Sequence, residues 1–374
     1  MKKYDIIIIG SGPAGVAAAK LISNKGMSVL ILERGKDLNR RRDLTSGWFG
    51  HGLYSMNRLE IEDDVLKNPK AIRDAFRIVK TVSKDKIIVL RAKDKKVGKY
   101  CILPDSLGKD IAIYFFNSIS KGGTISFNTN VEKITKDNDI FYVKTNRGTY
   151  ASPKCLISTG KNSLEWIEEV CAKFNIKTIK NSMKIGVRVE VPTFKIIQTV
   201  SDAGDLKVEC GETETSDARI NAFVGEWEDS NILSAFGYGM PGKKSEKTNF
   251  MIGAEANEEV LRDVKIANVL ANDKIQPERV QDFLEGRSLL EHIDAFHVLK
   301  ESFKSLEKIF PAFSSYAIMY SPEIRLRGIL DVDELMKTKV SGLYGAGECT
   351  ARVSSLIGAM ASGLVAGRTI LKER

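Results

Sequence analysis

The stretch Lys2-Lys3-Tyr4-Asp5-Ile6-Ile7-Ile8-Ile9-Gly10-Ser11-Gly12-Pro13-Ala14-Gly15 decides the fold. Four β-branched residues in a row suit a strand buried on both faces, as in a parallel sheet. Gly10 then permits a tight turn, Gly12 lets backbone approach a pyrophosphate, and Gly15 lets the next helix lie close to the strand. Val16 to Ser23 reads as that helix, with its positive end toward the phosphates, and Gly26 ends it. Met27 to Leu32 reads as a second strand, closed by Glu33. Glu33 follows Gly15 by 18 residues, the spacing of an acid that holds a ribose. Its carboxylate can accept from both ribose hydroxyls and would repel a 2′-phosphate, which disfavours NADP. The order of strand, glycines, helix, strand and acid marks a dinucleotide site. It leaves open whether FAD or NAD is bound.

Working outward, 374 residues are enough for two domains and a sizeable core. Hydrophobic residues make up 43% and charged residues 28%, ordinary values for a globular protein. The net charge of +9 comes from basic residues that are mostly scattered singly, as on a lysine-rich solvated surface. An anionic substrate, a nucleic acid and a membrane surface stay open as partners, but no tract of clustered basic and aromatic residues favours nucleic acid. Cys101, Cys155, Cys171, Cys210 and Cys349 form no CxxC, and His51, His292 and His297 give no metal spacing. The cysteines read as reduced thiols of a cytoplasmic protein. Asp5 precedes the N-terminal apolar run and a glycine turn ends it, so a signal peptide is not expected. No stretch approaches membrane-spanning length.

Arg40-Arg41-Arg42 follows the acid, and then comes Leu44 to Tyr54, LTSGWFGHGLY, a glycine- and aromatic-rich loop. It suits a place against a planar ring, or an ordinary surface loop pinned by its aromatics. Arg34 and Arg42 are candidates near the phosphates, or part of a solvated face. His51 and Tyr54 are the acid–base candidates of the loop. Helices are predicted over Leu59–Ser83, broken at Pro69, and over Asp105–Ser120, with a strand at Lys86–Arg91. Thr124–Asn128, Val131–Thr135, Ile140–Thr145 and Gly148–Ser152 read as a small meander, with Val131 at the head of its second strand as a further cofactor contact. Lys154–Ser158 returns to a buried strand that ends in Thr159-Gly160.

From about Trp166 to Ala317 the texture changes. Strands are predicted at Lys184–Val191, Arg219–Val224 and Ile232–Phe236, and helices at Asn257–Leu270, Gln276–Glu285 and His297–Phe310. The block has no nucleotide signature and reads as an inserted substrate or cap domain. Val340–Leu343 then leads into Tyr344-Gly345-Ala346-Gly347-Glu348, and Leu356–Lys372 is a helix loaded with small residues.

Three segments together resemble the FAD-binding fold shared with glutathione reductase: the N-terminal GxGxxG with Glu33, the strand ending Thr159-Gly160, and the strand ending Gly345-Ala346-Gly347-Glu348. More narrowly, Ile157 to Trp166, Gly186 to Pro192, Ser321 to Arg325 and Gly342 to Glu348 resemble the poorly characterised NAD(FAD)-utilising dehydrogenase family. The resemblance implies an α/β fold: a Rossmann-like FAD-binding domain of glutathione-reductase type, residues 1–165 and 318–374, with an inserted α+β domain, residues 166–317. It implies non-covalent FAD held by Gly10, Ser11, Gly12, Pro13, Ala14, Gly15, Glu33, Thr159, Gly160, Gly347 and Glu348. Ser354, Ser355 and Leu356 would open a helix toward the flavin. The chain departs from the family in its middle domain, where Cys210-Gly211 is the only trace of a cysteine- and glycine-containing stretch, and the family's N-terminal extension is not expected here. There is no second GxGxxG, so NAD(P)H, if used, visits as a transient reductant.

The function expected is that of an FAD-dependent oxidoreductase transferring hydride to or from a small organic substrate, with an anionic one open. Dehydrogenase, oxidase, reductase and monooxygenase all fit. The alternative is a flavoprotein acting on tRNA, or on isoprenoid lipid at a membrane surface. Arg325 either faces the flavin or an anionic substrate, or pairs with Glu323 or Asp331. Cys349 reads as a buried, inert thiol, so a disulfide mechanism is not expected.

Overall fold

Ile6–Ile9 forms strand β1, and all four side chains are buried. A computed structural model describes residues 2–54, 58–60, 66–84, 88–91, 99–102, 107–179, 183–203, 206, 208–210, 212–229, 232–257, 259–262, 264, 274–288, 290, 293–326, 328–353 and 355–373. Gly12 caps helix α1, Pro13–Ser23, and Pro13 sits in its first turn, where a missing N–H costs nothing. Strand β2, Val29–Leu32, lies parallel to β1. Helix α2, Pro69–Ser83, begins at the proline expected to break it, with the Asn68 side chain accepting from Ala71 N–H. A proline at the first helical position starts a helix. Helix α3, Leu107–Ile119, leads to strand β3, Gly123–Ser126. This strand pairs in parallel with β2 and extends the main sheet, so it is not part of the meander. The meander is three strands: β4, Val131–Asp137; β5, Ile140–Thr145; and β6, Gly148–Ser152. Strand β7, Cys155–Ile157, returns to β1 on its other side, and helix α4, Leu164–Lys173, follows.

The fifth strand of the sheet comes from far along the chain. Leu343–Gly345 pairs in parallel with β7, giving the order Leu343–Gly345, β7, β1, β2, β3. The C-terminal helix, Leu356–Lys372, then packs on α1. A Cβ on Gly363 would stand 2.0 Å from the Ala14 carbonyl oxygen, so the small residues serve contact between two helices. The sheet is doubly wound. Its order reverses between β1 and β7, and the strand ends there form the crevice where such sheets bind ligands.

The second unit is built on an antiparallel sheet. Its main strands are β8, Met183–Pro192; β9, Thr213–Arg219; β10, Phe223–Asp229; β11, Ile232–Tyr238; β12, Lys247–Ala256; and β13, Ile318–Leu326. Strands β9, β12, β8 and β13 pair in that order, and β10 with β11 forms a separate ribbon. On one face Val187, Val189, Phe250, Ile252 and Met319 join a core with Phe303 and Leu306 of the helix Leu299–Ile309. The other face carries Arg188 and Glu190 of β8 and Asn249 of β12, all buried.

The two compact units are Met1–Ile88 with Cys101–Asn181 and Arg327–Arg374, and Val89–Tyr100 with Ser182–Leu326. The sequence expectation sets its divisions at 165/166 and 317/318. Helix α4 instead goes with the first unit, and β13 with the second, because its register is set by β8. Strands β12 and β13 are absent from the sequence expectation. Of the helix expected over 257–270, residues 258, 263 and 265–270 lie outside the described residues.

Candidate functional site

Gly10 ends β1 at φ +97°, a backbone that side chains rarely tolerate. A Cβ there would stand 2.8 Å from the Ser158 carbonyl oxygen. A Cβ on Gly15 would stand 2.2 Å from Gly10 O and 2.6 Å from Ser158 Oγ. These two contacts bring the end of β1, the start of α1 and the end of β7 within touching distance. Ser158 Oγ donates to the carbonyls of Ile9 and Gly10, which ties the two strand ends together. Gly347, two residues past the strand Leu343–Gly345, has φ +82°, and its N–H donates to Ser362 Oγ of the C-terminal helix.

Three observations fit an FAD pyrophosphate in this crevice. Helix α1 has no side-chain cap at Gly12, so its first-turn N–H groups have no capping oxygen. A Cβ on Gly12 would meet only Ser158 O, at 3.8 Å, which leaves room beside the backbone. Next to it, Thr159 Oγ1 is buried without a hydrogen-bond partner. Pro13 and Ala14 lie in the same helix turn, and Gly160 leads into the short turn Lys161–Ser163. Arg34 is exposed and reaches the Asn162 carbonyl at 3.5 Å, bridging the end of β2 to that turn.

Glu33 is buried, and its carboxylate is already engaged. Oε2 accepts from Ser11 N–H at 3.0 Å and Ser11 Oγ at 2.7 Å, and Oε1 from Gly35 N–H at 2.7 Å and Gly47 N–H at 3.0 Å. A carboxylate has about four lone-pair positions, so these donors fill them. Spacing alone leaves both oxygens free for ribose hydroxyls. Here the carboxylate instead pins the Gly47 loop to the dinucleotide turn. Val131 lies just past Thr129, whose N–H donates to the Glu33 carbonyl.

The loop also differs from a ring-facing platform. Trp48 and Phe49 are fully buried; Trp48 Nε1 donates to Ala112 O of α3, and Phe49 stacks on Phe115. These aromatics fill the gap between loop and helix. Of the arginine triplet, Arg41 turns inward and Arg42 is exposed. Arg41 Nη1 donates to Trp48 O at 2.6 Å and Gly50 O at 3.0 Å, and its guanidinium lies 5.0 Å from the Tyr54 ring centroid. Burial lowers its pKa, with Tyr54, Glu33 and Asp43 acting in the opposite sense. His51 and Tyr54 are half-buried in the short helix Gly50–Tyr54. A Cβ on Gly52 would stand 2.6 Å from Pro13 Cγ and 3.0 Å from Leu356 Cδ1, so that helix rests on the cradle turn and on the C-terminal helix.

Glu348 is half-buried, and Ser355 caps the C-terminal helix with its Oγ accepting from Gly358 N–H. Ser354 and His292 lie outside the described residues. Cys349 is buried with its Sγ–H directed at the carbonyls of Ile157 and Ala346, and burial pushes its thiol up to about 12. Arg325 belongs to the second unit, bonded to Glu323 Oε1 and Asp217 Oδ2. Sequence reasoning missed Arg41, Asp217 and Arg188. A basic residue between Arg40 and Arg42 carries no sign of which one is buried.

Residues 4–185 match the family model described as pyridine nucleotide-disulphide oxidoreductase. An uncharacterized protein of Clostridium beijerinckii is 25% identical over 199 residues, 50% of this chain and 36% of that protein. A vinyl phenol reductase of Lactiplantibacillus plantarum is 39% identical over 67 residues, 17% of this chain and 14% of that one. The aligned part thus spans well under two thirds of these relatives' own length. A flavoprotein/dehydrogenase structure from Cytophaga hutchinsonii matches with a TM-score of 0.50 and 12% identity, covering 100% of this chain and 80% of that one, a likeness of fold alone. No described helix is long and apolar enough to cross a membrane. The match to that family model covers just under half of the chain, and within it the parallel sheet and the glycine cradle have the form of a dinucleotide-binding domain.

Proposed function

We propose that the protein transfers hydride between a small organic substrate and FAD, held without a covalent bond, with NAD(P)H as a transient reductant. The observation that carries this reading is the crevice at Gly10, Gly12 and Thr159, where uncapped helix N–H groups and an unpartnered hydroxyl meet at the reversal of strand order. When bound, the flavin supplies the redox chemistry, and the protein supplies position and electrostatics.

The residues then divide the work. Gly10, Ser11, Gly12, Pro13, Ala14 and Gly15 hold the pyrophosphate against the positive end of α1. Thr159 donates its hydroxyl there, and Gly160 and Arg34 border the same side. Glu33 keeps the Gly47 loop closed over the turn on the ribose side of the cradle. Gly347, Glu348, Ser355 and Leu356 hold the flavin end, where the C-terminal helix offers a positive pole to charge gained on reduction. His51 moves a proton, with Tyr54 held in place under Arg41.

The test is the anaerobic visible spectrum of the purified protein during titration with NADH and then NADPH. A yellow protein bleached by either supports a reductase or monooxygenase. A yellow protein that ignores both supports a dehydrogenase or oxidase reduced by its own substrate. A colourless protein that cannot be reconstituted with FAD overturns the reading. Full turnover by His51→Asn would remove His51 from the chemistry.

A further inference from the structure

Three buried side-chain atoms among the described residues have no hydrogen-bond partner: Thr159 Oγ1, Asn249 Nδ2 and Ser321 Oγ. The first belongs to the cradle. The other two are in the second unit: Asn249 bonds Arg188, and Ser321 follows Tyr320, the residue paired with Arg188. Arg188 is fully buried, and its Nε donates to Asn249 Oδ1 at 2.9 Å, which fixes Nδ2 as the unmet donor of that amide. Ser321 lies in a register shift beside Arg188: Tyr320 pairs with Arg188 and Glu323 with Gly186.

The charges around Arg188 are arranged unusually. Its Nη1 lies 3.2 Å from Glu323 Oε1 and 3.3 Å from Asp217 Oδ2. Arg219 Nε reaches the same Asp217 oxygen at 3.2 Å, and Arg325 Nη2 reaches it at 3.0 Å. Three guanidiniums therefore converge on one carboxylate oxygen. Asp217 is held there at φ +56°, inside a second register shift between Ser216 and Arg219. Paired irregularities of this kind re-aim side chains. The β10–β11 ribbon is shaped to the arrangement, since a Cβ on Gly237 would stand 2.0 Å from Arg188 Nη2.

Stability does not account for this layer, because apolar residues of similar volume commonly do as well as buried ion pairs. The unmet atoms are an amide N–H and a hydroxyl, and three guanidiniums share only two carboxylates, those of Asp217 and Glu323. What the layer lacks is acceptor oxygen.

We propose that this layer binds the carboxylate of an anionic small-molecule substrate, entering where Asp217, Arg219 and Arg325 are 32%, 20% and 30% exposed. The word substrate rests on the oxidoreductase reading; the binding of a carboxylate does not. Guanidinium forks match a carboxylate with two parallel hydrogen bonds, and Asp217 competes with the ligand for them.

Benzoate and succinate, with chloride as control, are titrated into the FAD-loaded protein by calorimetry, and flavin absorbance is recorded alongside. Saturable binding is expected for a carboxylate and not for chloride. Arg219→Gln and Arg325→Gln are expected to weaken it at least tenfold with flavin content unchanged, while Asp217→Asn tightens it. No saturable carboxylate binding to a yellow protein overturns the proposal. So does binding that neither arginine variant weakens. A protein that takes no FAD yet binds carboxylate through Arg219 and Arg325 sinks the oxidoreductase reading and supports the site.

Discussion

The two sheets of this protein put chemistry in different places. In the parallel sheet β1, β2 and β7 are buried strands whose side chains are aliphatic apart from the buried Cys155 thiol. Polar groups meet only at the strand ends, at Gly10, Glu33, Ser158 and Gly347. In the antiparallel sheet one face is core, and the other carries Arg188, Glu190 and Asn249 in mid-strand. The first arrangement depends on what is missing, namely side chains at glycines. The second depends on charges meeting one another in the interior.

The largest effect on cofactor binding is expected at the first sheet. Gly15→Val would drive side-chain carbon into Gly10 backbone, which cannot retreat without displacing β1. Overpacking of this kind costs about 1–3 kcal/mol or more. Denaturant unfolding should show the loss, and flavin should be absent from the purified variant. An unaltered, yellow variant would break the idea that strand-end closeness makes the cradle.

The second sheet should answer differently. Arg188→Met takes from buried Glu323 one of its two guanidinium partners, Arg325 being the other, and breaking a buried pair costs up to about 3–5 kcal/mol. Adding Glu323→Leu should restore part of that stability, because both charges are then gone. Equal stabilities of the single and double variants would show that shape alone holds this layer. The C-terminal helix offers a smaller probe: Ser355→Ala removes its cap and should cost about 1 kcal/mol.

Acid sharpens the contrast. Burial alone would raise the Asp217 carboxyl, but Arg219, Arg325 and Arg188 outweigh it and hold the group well below the usual carboxylate range. A depressed folded pKa gives stability that is present above the unfolded value, about 3.9, and is lost as pH falls below it. The stability difference between the protein and Asp217→Asn should therefore stay level from pH 7 to about 4 and shrink at lower pH. The least change is expected at the thiols. Burial pushes Cys155 and Cys349 up to about 12, so iodoacetamide at pH 8 should label neither until the protein is unfolded.

The same difference decides what could be read from the sequence. The cradle is built from neighbours in the chain, Gly10 to Gly15, so one glance at fourteen residues finds it. The helix Leu356–Lys372 is legible for a like reason, since its small residues and its ends are continuous. The Arg188 layer draws on positions 188, 217, 219, 249, 321, 323 and 325, from four strands whose register no local pattern announces. Two of those strands, β12 and β13, escape notice because glycine, proline and charged residues interrupt their apolar runs. Within the cradle, Glu33 was legible as an acid at the right distance. Its four protein donors were not, because Gly47 reaches it through a loop fold that depends on Arg41.

The C-terminal helix also bears on how the molecule is made. Helix α1 leaves the ribosome early, yet the surface it offers at Ala14 and Ala18 is covered by Gly363 and Gly367, synthesised more than three hundred residues later. At about 5–20 residues per second, that surface waits on the order of tens of seconds for its cover. During that interval one side of α1 stays uncovered, and the fifth strand of the sheet, Leu343–Gly345, is also still to be made.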